Sequence, residues 1–183
     1  MSSNYSEKDR DVVRCGKVVS IFDHSKPQLL TVQIFSRTAT EKDVDVLALL
    51  ESEARRSLNQ FRGADRLANE VPEIGNRWSE ELNNDTVFVL AGGIDSTVMG
   101  YLVARITEKA GNQIATIEQV FVTHDARNLG VGDALVTTAL TWAREQKLQA
   151  LDALALPGDR ETKNLYERSG LVARLITVTK KLN

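Results

Sequence analysis

The sequence predicts a mixed α/β fold, and three observations carry that prediction. β-Branched apolar runs alternate along the chain with stretches of helical period. Two such runs flank a Gly-Gly turn near the middle, the pattern of an antiparallel hairpin. Late in the chain a strand, a helix and a strand follow one another, the order of a β–α–β crossover.

The elements can be justified in order. Residues 1–10 are polar, and Val12–Phe22 (VVRCGKVVSIF) is apolar and β-branched enough for a strand. Leu29–Ser36 predicts the next strand. Thr40 followed three residues later by Asp43 predicts a helix start, with a carboxylate in place of the usual Glu or Gln. Val44, Leu47, Leu50, Ala54 and Leu58 then recur on one helical face, and Gly63 is expected to end that helix. Short helices are expected around Asp65–Asn69 and Trp78–Leu82. Val87–Leu90 and Ser96–Ile106 form the hairpin around AGGID, and Ile114–Val122 follows as a strand. A helix is expected from near Leu129, with Val131, Ala134, Leu135, Thr138, Ala139 and Trp142 on its apolar side. Ala150–Leu156 predicts a strand, Lys163–Arg168 a helix capped by Gly170, and Leu171–Thr179 the last strand.

Size and composition bound the possibilities. The 183 residues suit one domain, and 42% hydrophobic with 26% charged residues is ordinary globular usage. The formal charge of −2 lacks the basic excess of a dedicated nucleic-acid binder, so no nucleic acid is expected as partner. Cys15 is the only cysteine and His24 and His124 the only histidines, which leaves neither an internal disulfide nor a thiolate or histidine metal site. A lone thiol suits a reducing compartment, and no apolar run or leader marks a membrane or secreted protein, so a cytoplasmic location is expected.

The stretch that carries chemistry is Val120–Gly132 (VFVTHDARNLGVG). A strand ends, a polar turn follows, and Arg127-x-x-Gly130-x-Gly132 opens a helix. The first helical turn has N–H groups without partners, and its dipole favours an anion. Glycines admit close approach of a phosphate, and Arg127 can add charge-assisted hydrogen bonds. The arrangement suits a diphosphate. A glycine pair alone also fits a helix packed tightly on its strand. Neither a Walker loop nor the Rossmann glycine order is present.

Arg127-Asn-Leu-Gly130-Val-Gly132 resembles the acyl-CoA diphosphate loop of the GNAT superfamily of N-acetyltransferases, Gln/Arg-x-x-Gly-x-Gly/Ala. Asn164-Leu-Tyr166-Glu-Arg-Ser-Gly170-Leu171 is similar to that family's Leu-Tyr-Glu-x-x-Gly-Phe segment, and Tyr166 lies 34 positions after Gly132. The resemblance covers roughly Val87–Leu175 strongly and Thr31–Leu82 by element order. It implies a mostly antiparallel central sheet with helices on both faces and a splayed strand pair for acetyl-CoA. Residues 29–183 would form one acetyltransferase domain, with 1–28 as an N-terminal extension able to add a strand.

The implied reaction is direct transfer of the acetyl group of acetyl-CoA to an amine of a small molecule or peptide, with no metal. Pantetheine would lie along backbone groups of Phe121, Val122 and Thr123. The diphosphate would sit on the N–H groups of Asn128, Leu129, Gly130, Val131, Gly132 and Asp133, with Arg127 beside it. Asp159 stands where many relatives have an Asn that touches the cofactor, and Asn164 is a nearby alternative. Asn128 replaces a common glycine, and Asp133, an acid beside a polyanion, is expected to point away from it. Val122 N–H would donate to the oxyanion, and Tyr166 would protonate the departing thiolate as general acid. Tyr166 also fits as packing against the cofactor tail.

Glu118 fits either as the base that takes the amine's proton or as an outward-facing strand acid. His124 sits in the turn and fits better as a cap or a solvent-facing residue than as that base. Arg55, Arg56, Arg62 and Arg66 would make a basic wall suited to a carboxylate-bearing acceptor, or pair with acids such as Glu51 and Glu53. The final strand could join two chains as a homodimer, an expectation from the family. Two other readings remain open: an inactive acyl-CoA-binding sensor or interaction module, and a nucleotide-binding protein using the glycine loop for ATP.

Overall fold

The computed structural model describes residues 17–22, 29–180 and 182. The chain runs β1 (Lys17–Phe22), β2 (Leu29–Thr38), α1 (Val44–Leu58), α2 (Ala64–Glu70), α3 (Trp78–Leu82), β3 (Val87–Ile94), β4 (Thr97–Lys109), β5 (Asn112–Val122), α4 (Val131–Glu145), β6 (Leu151–Ala153) and α5 (Arg160–Arg168). The six strands form one sheet in chain order. All neighbours are antiparallel except β5 and β6, which are parallel across the α4 crossover. The expected α/β class is therefore observed. Of the first expected strand, Val12–Gly16 lies outside the described residues. No described helix is long and apolar enough to cross a membrane.

The sheet is covered on both faces, so its central strands are apolar on both sides. Leu90, Leu102, Ala104 and Ile117 pack with Val131, Leu135, Val136 and Ala139 of α4. Val89, Ala91, Tyr101, Val103 and Phe121 pack the other way, against Leu47, Leu50 and Ala54 of α1 and Trp78 of α3. The period-two alternation of β3 and β4 divides these two cores. Each fully buried Leu, Ile or Val contributes about 1.5–3 kcal/mol.

Three expectations about punctuation are corrected. Gly92 and Gly93 do not form the hairpin turn; they lie inside β3, and the turn is Asp95–Ser96, with Asp95 at φ 55°. A Cβ at Gly92 would come within 2.9 Å of Leu135, and one at Gly93 would collide with the Thr97 carbonyl, so crowding explains this pair. Gly63 does not end α1; its φ of 88° reverses the chain just ahead of α2. The last expected strand is absent: Leu171–Lys180 joins no ladder, and Leu175, Ile176 and Val178 are exposed. A strand needs a partner, and β6 presents only three paired residues at the sheet edge.

Candidate active site

The site is built where β5 and β6 part. β6 pairs with Ala115, Thr116 and Ile117 and then leaves the sheet. Beside that point β5 carries a bulge: Val103 pairs with Gln119 and Ala104 with Ile117, so Glu118 is the extra residue. The bulge reverses the parity of the backbone. Before it, Ala115 N–H and the Ile117 carbonyl bond toward β6. After it, Thr123 N–H bonds toward β4, to Met99 at 2.8 Å. By alternation, Val120 and Val122 then turn their backbone groups to the side that β6 has vacated. The Val122 carbonyl is taken by Arg127 Nε at 3.1 Å, which leaves its N–H facing the gap.

The loop after β5 explains its own sequence. His124–Ala126 forms a short 3₁₀ turn, Asn128 adopts φ 60° and Gly130 φ 97°. Asn tolerates the left-handed region and Gly is free in it. The chain thereby enters α4 with its amides turned outward. Among the described residues, the N–H groups of Asn128, Leu129, Gly130, Val131, Gly132 and Asp133 find no acceptor; the first paired one is Ala134 N–H, on the Gly130 carbonyl at 3.0 Å. α4 has 15 residues, so the row also lies at the positive end of a full helix dipole. This fits the diphosphate of a CoA thioester on the chemistry of the donors alone.

A cleft of about 640 Å³ runs along this gap. It is lined by Glu118, Phe121, Val122, Arg127, Asn128, Gly130, Gly132, Asp133, Asp159 and Asn164. Thus most of the residues singled out in the sequence share one cavity. Thr123 lies just outside the lining and bonds Glu53 of α1 through its hydroxyl, at 3.1 Å. Leu129 and Val131 are not among the lining side chains, and Val131 is wholly buried under the sheet.

The charged residues around the cleft are largely engaged with one another. Arg127 Nη1 meets Glu161 at 2.8 Å, and its guanidinium lies over the Phe121 ring. Asp133 pairs with Arg168 at 3.2 Å, tying α4 to α5. Asp159 caps α5 by accepting from Thr162 N–H at 3.0 Å. Glu118 pairs with Arg105 at 3.2 Å, and Arg105 also binds Glu81 of α3 at 2.9 Å. His124 is exposed.

Tyr166 sits on α5 with its ring in the α4-side core, 6% exposed and absent from the cleft lining. Burial pushes its phenol pKa up, and nearby Asp159 adds to the shift. A second tyrosine, missed in the sequence, does line the cleft: Tyr101 of β4 donates to Gln119 Oε1 at 2.8 Å. Burial raises its pKa too, with Glu51 contributing. Only its place in an apolar strand was visible beforehand.

The expected basic wall does not form. Of the four arginines only Arg55 reaches the cleft, and it donates to the Val71 carbonyl at 2.8 Å and the Pro72 carbonyl at 3.1 Å. Arg56 bonds Ser52 Oγ, and Arg66 bonds Glu70 and Thr179. Glu51, fully buried, accepts from Ile74 and Gly75 N–H at 2.8 and 2.9 Å and lies 3.7 Å from Arg55.

Residues 50–171 match the family model described as Acetyltransferase (GNAT) family. Several solved structures share the fold. A transcriptional regulator from Bacillus halodurans C-125 is 20% identical, with 81% of this chain and 99% of that chain covered and a TM-score of 0.62. An aminoglycoside acetyltransferase from an uncultured soil metagenomic sample is 16% identical over 83% of this chain and 97% of that chain, with a TM-score of 0.60. A ribosomal-protein-alanine N-acetyltransferase from Brucella melitensis biovar Abortus 2308 is 19% identical over 81% and 99%, with a TM-score of 0.57. No curated protein matches the chain significantly.

Proposed function

Because the chain belongs to the GNAT acetyltransferase family, we propose that it moves the acetyl group of acetyl-CoA directly to an amine, with both substrates bound together. The observation that carries this reading is the row of six unpartnered N–H groups from Asn128 to Asp133 beside a cleft that continues to Glu118. Acetyl-CoA supplies the activated thioester. The chain's residues would do the rest. The free Val122 N–H donates to the oxygen on which charge develops. Phe121 and Thr123 flank it along the pantetheine path, and Asn164 of α5 faces the same cavity. Asp159 serves chiefly as the α5 cap.

Glu118 would take the amine's proton, directly or through water. Its place in the cleft supports this, and the bulge turns it toward the α1 side, where Tyr101 and Gln119 stand. Tyr166 would hold the proton for the departing thiolate. Its raised pKa supports a phenol that stays protonated at neutral pH. The burial of Tyr166 and the Arg105 contact of Glu118 favour one second reading, a module that binds acyl-CoA without turnover.

Residues 29–183 as one domain, residues 1–28 as an extension, a cytoplasmic location and a homodimer complete the proposal. Light scattering in solution tests the last. The central test is calorimetry with CoA, together with thiol release from acetyl-CoA over an amine panel. Wild-type protein should bind CoA, and Gly130→Glu should lose binding while remaining folded, because the side chain fills the phosphate approach and adds like charge. Normal affinity in the folded variant overturns the loop assignment. Binding without release from any amine favours the non-catalytic module.

A further inference from the structure

On the acetyl-transfer reading, we infer that the acceptor is a singly charged primary amine carried on an apolar or aromatic body, and that Phe61 is a principal determinant of that choice. Hydrocarbon side chains line two sides of the cleft, with Arg55, Ser57 and Gln60 among them on the first. Leu58, Phe61, Leu67 and Val71 line it from the α1–α2 side, and Leu154 and Leu156 from the stretch after β6. Leu154 is 38% exposed, an apolar surface left open at the cleft. The two sides also approach each other. Phe61 Cδ1 lies 4.0 Å from the place a Cβ would take on Gly158, and Leu156 Cδ2 lies 3.6 Å from the corresponding point on Gly63. The two sides thus meet through apolar side chains.

Charge settles the rest. Each carboxylate that lines the cleft already has a partner within the protein: Glu118 has Arg105, Asp133 has Arg168, Glu161 has Arg127, and Asp159 has the Thr162 N–H. A polycation would bring several ammonium groups past hydrocarbon with no unpaired acid to receive them, and desolvation would oppose its entry. A carboxylate-bearing acceptor fares no better against the α1–α2 wall, although Arg160 lines the cleft at the start of α5. Arg55, the one arginine on this wall, is spent on the Val71 and Pro72 carbonyls and lies near Glu51. One ammonium can approach Glu118 by sharing its carboxylate with Arg105, with Tyr101 and Gln119 also lining the cleft, and an apolar body gains by leaving water against Phe61.

The experiment uses the full chain with acetyl-CoA and four acceptors, tryptamine and leucinamide against spermidine and kanamycin, with CoA binding followed separately by calorimetry. The monoamines are expected to exceed the polycations in kcat/KM by about tenfold or more, the discrimination a hydrophobic pocket reaches with a few methylenes. Phe61→Asp should raise KM for tryptamine by about tenfold with kcat and CoA affinity nearly unchanged, whereas Phe61→Tyr should keep the original KM. Phe61→Ala takes the place of the acidic variant if that does not fold. Equal or better use of the polycations overturns the inference, as does an unmoved KM in Phe61→Asp or, in its place, Phe61→Ala. So does failure to acetylate either monoamine while CoA binds. Absence of CoA binding overturns the acetyl-transfer reading itself, and this inference with it.

Discussion

Arg127 spans the mouth of the cleft to Glu161, with Nη1 and Oε2 2.8 Å apart, while its Nε holds the Val122 carbonyl at 3.1 Å. One guanidinium therefore joins the end of β5, the glycine loop and the first turn of α5. The Glu161 carboxylate occupies the donor that a phosphate would otherwise use. Its own side chain is 71% exposed, so the pair is weak and separable. Glu161→Gln should tighten CoA binding by about two- to fivefold, the worth of an exposed ion pair, with the larger gain at low salt. Calorimetry at two ionic strengths measures this. Weaker binding in the variant would show instead that Glu161 orients Arg127 for the ligand.

Glu51 carries a structural load that no activity assay would reveal. Its carboxylate joins the buried face of α1 to the Ile74 and Gly75 N–H groups just ahead of α3. Glu51→Ala would leave a buried donor, Ile74 N–H, and a half-buried one, Gly75 N–H, without acceptors, and Arg55 would lose its neighbouring acid. The expected cost is about 3 kcal/mol or more. Urea unfolding should show a lower midpoint with an unchanged slope, and Glu51→Gln should recover part of the loss.

Asp43 gives the fold an acid-sensitive joint. The Arg37 guanidinium holds its carboxyl below the usual range, helped by the Thr40 N–H and hydroxyl. A depressed folded pKa means that the stabilisation is present above the unfolded carboxyl pKa, near 4, and is lost as pH falls through the lower folded value. Asp43→Asn should lower stability at pH 7 by about 1–3 kcal/mol and flatten the stability profile below about pH 4. Denaturant titrations from pH 2 to 7 on both proteins check the window.

What the sequence revealed and what it hid follow a physical division. α1, α4 and the sheet strands announce themselves because each buries one continuous face, so residues such as Leu47, Leu50, Leu135 and Ala139 recur at a fixed period. The loop at Arg127–Gly132 was legible because positive φ at Gly130 and outward amides demand a short local pattern. The placement of Gly92 and Gly93 was not, since a glycine required by Leu135 and Thr97 across space looks the same as a glycine in a turn. The bulge at Glu118 was equally hidden: it is defined by pairing with β4, and pairing leaves no mark in the strand's own composition. Leu171–Thr179 has strand-forming residues, but whether they pair depends on an edge supplied by β6. The partners of the arginines, Val71 and Pro72 for Arg55 and Glu161 for Arg127, lie 16 to 34 positions away.

Tyr166 poses the sharpest question about catalysis. Its ring packs in the α4-side core, and both burial and the Asp159 carboxylate push the phenol pKa up. A raised tyrosine pKa keeps the proton in the folded state, so a rate that depends on this phenol should not fall between pH 7 and about 10 on its account. The linked stabilisation is whole below the unfolded value near 10 and is lost as pH rises through the higher folded value. Tyr166→Phe removes the proton and keeps the ring, so packing and CoA affinity should change little. A drop in kcat of about 10²-fold, the usual worth of a positioned acid, with KM for acetyl-CoA unchanged would assign the proton to Tyr166. An unaltered kcat across the same pH range would retire that role and leave the tyrosine as a packing residue. The variant Tyr101→Phe then tests the other phenol on the cleft, whose loss should cost the Gln119 contact and weaken acceptor use if it takes part.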